Sequence, residues 1–148
     1  MRRLYLTPIM AAVLFTLVTA PIALAATKTA RCPRETEAEQ AIHLEMRLMV
    51  ASSICTNTAY DDLLKHAGPA ITSYMGEARR RHPGFDSYVT KLANLEGQAA
   101  GHQTVTEYCK AEAELFDAIQ KIATSDDFRH YMAEQITLHR NDPPTCIR

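Results

Sequence analysis

His43, Met46 and Met49 stand three residues apart, a spacing that lays one imidazole and two thioethers along a slanted strip of a helix. Soft thioethers beside an imidazole suit a cuprous ion, which makes this strip the candidate metal set of the chain. Both methionines also lie in its most apolar helical stretch, where Met ordinarily fills gaps in a hydrophobic core. Packing is therefore the expected role, and neither a metal nor another cofactor is expected. His66, His82, His102, His130 and His139 form no His-x-x-x-His pair and no zinc spacing, so they read as surface residues.

Acid–base and nucleophilic chemistry find little support. Glu112 is the carboxylate out of place, falling on the apolar stripe between Cys109 and Phe116. Burial there would raise its pKa and make it a catalytic candidate, whereas an edge position would simply let it reach solvent. Asp61-Asp62 and Asp126-Asp127 read as first-turn helix caps. Ser52-Ser53 has no Gly-x-Ser-x-Gly context and no identifiable base. No enzyme is expected; the rival reading assembles acid–base residues from separate helices. Charge concentrates in one place, Arg79-Arg80-Arg81-His82, followed by Pro83-Gly84-Phe85. Arg79, Arg80, Arg81, His82 and Phe85 form the candidate binding loop for an acidic partner, set against the plainer role of cations at a helix C-terminus.

The cysteines argue for scaffold. Cys32, Cys55, Cys109 and Cys146 include no Cys-x-x-Cys and no Cys-x-x-Cys-His, which removes thioredoxin-type redox and covalent haem sites. They follow an N-terminal stretch with the marks of an export signal: Arg2-Arg3, no charge from Leu4 to Ala25, and a small-x-small close at Ala23-Leu24-Ala25. Pro8 and Pro21 disfavour a permanent membrane anchor. Residues 1–25 are thus expected to be a cleaved signal peptide, with the protein periplasmic or secreted and two disulfides in residues 26–148. A continuous helix would hold Cys32 and Cys55 about 35 Å apart, and a disulfide needs Cα atoms within about 7 Å. Cys55–Cys109 and Cys32–Cys146 are the expected pairs, with Cys32–Cys109 and Cys55–Cys146 as the alternative.

Five stretches carry helical period, at roughly 35–53, 59–81, 84–96, 105–124 and 126–139. Gly68-Pro69 predicts a kink or break in the second. Thr104-Val105-Thr106-Glu107 is a capping box opening the fourth. Strand signals are nearly absent, so the fold expected is all-α: one four- to five-helix up-and-down bundle stapled by two disulfides. The formal net charge is −1, more acidic still without Arg2 and Arg3, which gives no reason to expect nucleic acid or stable membrane association. The expected function is a small exported helical module that binds another protein or serves in stress, without catalysis. A metal or small-ligand carrier using His43, Met46 and Met49 is the alternative, alongside the enzyme.

Overall fold

The computed structural model describes residues 34–140, all within one compact unit, Arg31–Arg148. Residues 1–33 and 141–148 lie outside the described residues, and with them the expected signal segment, Cys32 and Cys146. The described chain is all-α: α1 (Glu37–Cys55), α2 (Ala59–Arg81), α3 (Phe85–Gly101), α4 (Val105–Ala111), α5 (Ala113–Ile119) and α6 (Ser125–Leu138). None of these helices is long and apolar enough to cross a membrane.

α1 is the helix around which the others gather. Thr36 opens it with a capping box, its hydroxyl accepting from the Glu39 amide while the Glu39 carboxylate accepts from the Thr36 amide. Thr56 closes it in a left-handed conformation, φ 54° and ψ 53°. That conformation is costly for a β-branched residue and is compensated by the Asn57 and Thr56 amides, which satisfy the last turn at Ser52. Cross-helix bonds give the topology. Ser52 accepts from the Tyr60 amide near one end of α1 and Glu37 from the Tyr74 hydroxyl near the other, so α2 runs antiparallel to α1. His82 reaches Glu39, and His43 reaches Glu96 further along, so α3 runs parallel to α1. α4 and α5 come back down, placing Cys109 at Cys55 and Glu112 at Arg47.

The main core joins large apolar side chains of α1, α2, α3, α5 and α6. Phe128, Ile42, Leu48, Leu63, Leu92 and Ile119 are essentially inaccessible. Each such burial stabilises the fold by about 1.5–3 kcal/mol. A second, smaller core gathers Ala51, Ala100 and Tyr108 beside the Cys55–Cys109 disulfide, whose Cα atoms are 5.6 Å apart.

Two expectations change. Of the kink or break expected at Gly68-Pro69, the break is absent, and α2 is one helix from Ala59 to Arg81 with Pro69 inside it. Pro69 faces solvent, while Ala67 and Ala70 on either side are fully buried and keep the packed face in phase. The expected fourth helix is two, giving six helices among the described residues in place of four or five. Glu112 (φ −86°, ψ −3°) ends α4 and begins α5 at the residue whose carboxylate is tied to α1. Helix α5 stops at Ile119, short of residue 124, because the Lys121 and Ile122 amides tighten onto carbonyls three residues back. Of the two expected staples, Cys55–Cys109 is present, the one disulfide among the described residues, and the Cys32–Cys146 pair falls outside them.

Candidate binding groove

An open cavity of about 900 Å³ runs along one side of α1, with α3 and α4 on one flank and α5 and α6 on the other. Its floor follows from helical spacing. Glu37, Gln40, Leu44 and Arg47 succeed one another at steps of three and four, so one stripe of α1 faces the cavity. Leu115, Met132 and Ile136 supply an apolar flank, and Glu96, Tyr108 and Glu112 a polar one.

Two ion-pair systems organise the polar side. The Arg47 guanidinium donates through Nε to Glu112 Oε2 at 3.0 Å and through Nη2 to Glu112 Oε1 at 2.9 Å. Such a fork is the strongest geometry an arginine and a carboxylate can adopt. The Glu112 side chain is 8% exposed and that of Arg47 44%, so the carboxylate is the buried member and the guanidinium faces the groove. His43 sits between two carboxylates, with Nδ1 3.7 Å from Glu35 and Nε2 3.1 Å from Glu96. Hydrogen bonding to Glu35, then to Glu96, raises its pKa to about 9 against the opposing effect of burial, so the imidazole is charged at neutral pH. Beside these pairs lies Tyr108, 3% exposed, whose hydroxyl has no hydrogen-bond partner among the described residues. Burial, then the charges of Glu112 and Glu96, lifts its pKa above the usual phenol value.

A second polar feature is on the opposite side of α1. Glu45 is 5% exposed, in the seam against α2, where Ala38, Ala41, Glu45, Leu48 and Ser52 follow a three–four spacing. One oxygen meets the Tyr60 hydroxyl at 3.5 Å, and the other has no partner among the described residues. Burial pushes its pKa up, favouring the neutral acid.

The residues singled out by sequence are dispersed by the fold. His43 faces the groove, but Met46 is buried in the main core and Met49 packs against that core, so the three do not share one site. Among the described residues no group of three His, Cys, Asp or Glu could hold a metal ion. Part of the loop set is engaged within the fold as well. Arg79 lies over the Phe85 ring at 5.1 Å, and Phe85 is 5% exposed. His82 bonds Glu39 at 2.7 Å and stacks on Tyr88 with ring centres 4.0 Å apart. Arg79, Arg80 and Arg81 all remain exposed. Of the sequence candidates, Glu112 and His43 come together in the groove. Arg47, Glu96, Tyr108 and Glu45 are the residues that sequence reasoning missed. A signal did exist for Arg47 and Glu45, which are charged residues inside the apolar run Leu44–Met49 and so call for buried partners.

No protein-family model, no characterised protein and no solved structure matches the chain. The groove therefore carries the functional argument on its own geometry.

Proposed function

We propose that this protein is an exported, non-catalytic binding module that seats part of a protein partner in the groove along α1. The observation that carries the reading is an open groove of about 900 Å³ that joins an apolar flank to a polar one whose charges are already paired with each other. Its volume is near the upper end of ligand-binding cavities, about 300–1,000 Å³. The ion pairs suit recognition, since they hold this side of the groove in a fixed arrangement before a partner arrives. Catalysis is less well served. Glu112 is committed to Arg47 and His43 to two carboxylates, and Cys55 and Cys109 are bonded to each other. A carrier built on His43, Met46 and Met49 would need Met46 at the groove, and that side chain is buried in the core.

The groove is also favoured over the Arg79–Phe85 loop, because Arg79, His82 and Phe85 are spent on contacts within the fold. Affinity capture with three baits separates the two surfaces: the wild type, Ile136→Glu in the groove, and Arg80→Glu/Arg81→Glu at the helix end. A partner retained by the double-arginine variant and lost by Ile136→Glu supports the groove. The reverse pattern moves recognition to the loop.

A further inference from the structure

We infer that the groove takes a polypeptide segment carrying both apolar and basic side chains, an inference that rests on the groove reading above. Charge is the first ground. The Arg47–Glu112 fork is neutral as a unit, while His43 offsets one of its two carboxylates and leaves the other uncompensated. Glu37 and Glu114 add two exposed carboxylates to the lining. Glu37 accepts from the neutral Tyr74 hydroxyl, so its charge stays unbalanced by that contact. Against these stands Arg34, and even with His139 counted as a cation the lining remains net negative. An anionic ligand would meet carboxylates on both flanks, whereas a lysine or arginine side chain meets its complement.

Unmet hydrogen bonding is the second ground, and it is independent of charge. The Tyr108 hydroxyl and Glu35 Oε1 are buried polar atoms with no partner among the described residues, and both residues line the groove. Leaving such groups unpaired is unfavourable, and a ligand bearing donors and acceptors relieves it by drawing either group toward the groove. The Gln40, Gln103 and Gln135 amides share the lining, and each can donate and accept as a peptide group does. Gln40 donates to the Glu35 carbonyl and keeps its own carbonyl oxygen for a further bond. Arg47 spends Nε and Nη2 on Glu112 and has Nη1 left over. The apolar flank supplies the third ground: Leu44, Leu115 and Ile136 would lie idle against a bare cation, and they suit the leucine-like side chains of a peptide.

Three short labelled peptides of equal length test this with the oxidised protein, read by fluorescence polarisation: alternating Leu/Lys, Leu/Glu and Ser/Lys. The Leu/Lys peptide should bind at least about tenfold more tightly than either of the others, and more weakly as salt is raised. Glu114→Gln should weaken it by roughly threefold, the scale of one partly exposed charge. Ile136→Glu should abolish binding, and Arg81→Glu, outside the groove, should leave it unchanged. Equal or tighter binding of Leu/Glu, still abolished by Ile136→Glu, overturns the basic-segment inference and leaves the groove standing. Failure of all three peptides to bind, or binding indifferent to both Ile136→Glu and Glu114→Gln, sinks the groove reading itself.

Discussion

The two hydrophobic cores of this bundle are held by different means. The main core draws Ile42, Leu48, Leu63, Leu92, Ile119 and Phe128 from five helices and is stabilised by their combined burial. The smaller core has two alanines and a tyrosine, with Ile54, Phe116 and the disulfide cysteines packed partly against it. Seven-residue α4 contributes Tyr108 as its one fully buried side chain. A helix that short is not stable by itself, so the Cys55–Cys109 bond does for α4 what apolar area does elsewhere. The contrast matters for function because α4 and Glu112 form a groove flank. One flank is anchored by packing and the other by a covalent bond.

The largest effect expected is on the packed side. Phe128→Ala removes a ring with 0% exposure that meets Tyr74 edge-on at 6.1 Å. It should cost about 3–5 kcal/mol and lower the denaturation midpoint of the whole bundle. A loss below about 1 kcal/mol would show that the main core collapses around the gap and that the contrast is overdrawn.

Next in size is the covalent side. Cys55→Ala/Cys109→Ala should cost about 2–4 kcal/mol at most, by freeing the unfolded chain and unfastening α4. Its signature should be local: faster amide exchange across α4 and the preceding turn, with α2 and α6 still protected. Uniform loss of protection in all helices would erase the distinction between the two cores.

How far the sequence foretold this arrangement depends on the range of the interactions. The helices were legible because their period is written in neighbouring residues, and the Thr104–Glu107 capping box appears where its letters stand. The Cys55–Cys109 pair was legible because helix length restricts which cysteines can meet. The division at Glu112 was not, since the apolar stripe keeps its phase through that residue. The Glu112 amide still bonds Tyr108, and its carbonyl still accepts from Phe116. The groove was hidden for another reason. Arg47 and Glu112 are 65 positions apart, and His43 and Glu96 are 53, so neither pair leaves a local pattern. What the sequence offered was each group's oddity: an acid on an apolar stripe and a base in an apolar run.

Smaller effects should appear in the pH dependence, and both arise on α1, independent of the disulfide. The folded pKa of His43 is raised to about 9, so its contribution is complete below the unfolded value of 6.5 and is lost as pH rises through about 9. The pKa of Glu45 is also raised, by burial. Its penalty is absent while both states are protonated and grows as pH rises above 4.5, where the unfolded chain ionises first. His43→Gln should flatten the alkaline fall of the midpoint, and Glu45→Gln the fall at lower pH. Both slopes should survive in Cys55→Ala/Cys109→Ala. If the His43 slope vanished there, its pairing would depend on the small core, and the two regions would not be separate.

The finest discrimination comes from the two capping boxes, one for each region. Thr36 caps α1 and Thr104 caps α4 with the same reciprocal bonds. Thr36→Ala should cost about 1 kcal/mol in the global midpoint, since α1 cannot fray without opening the main core. Thr104→Ala should barely move that midpoint and should instead speed amide exchange in the first turn of α4, one turn before the disulfide. The decisive background is Cys55→Ala/Cys109→Ala. With α4 already unfastened, the Thr104 cap has little folded helix left to hold, so Thr104→Ala should add nothing further there, while Thr36→Ala keeps its full cost. Such coupling is expected only between groups that share one locally cooperative unit. Strict additivity at Thr104 would mean that α4 stays docked without its disulfide, and that Tyr108 and the Arg47–Glu112 fork suffice to hold the groove flank.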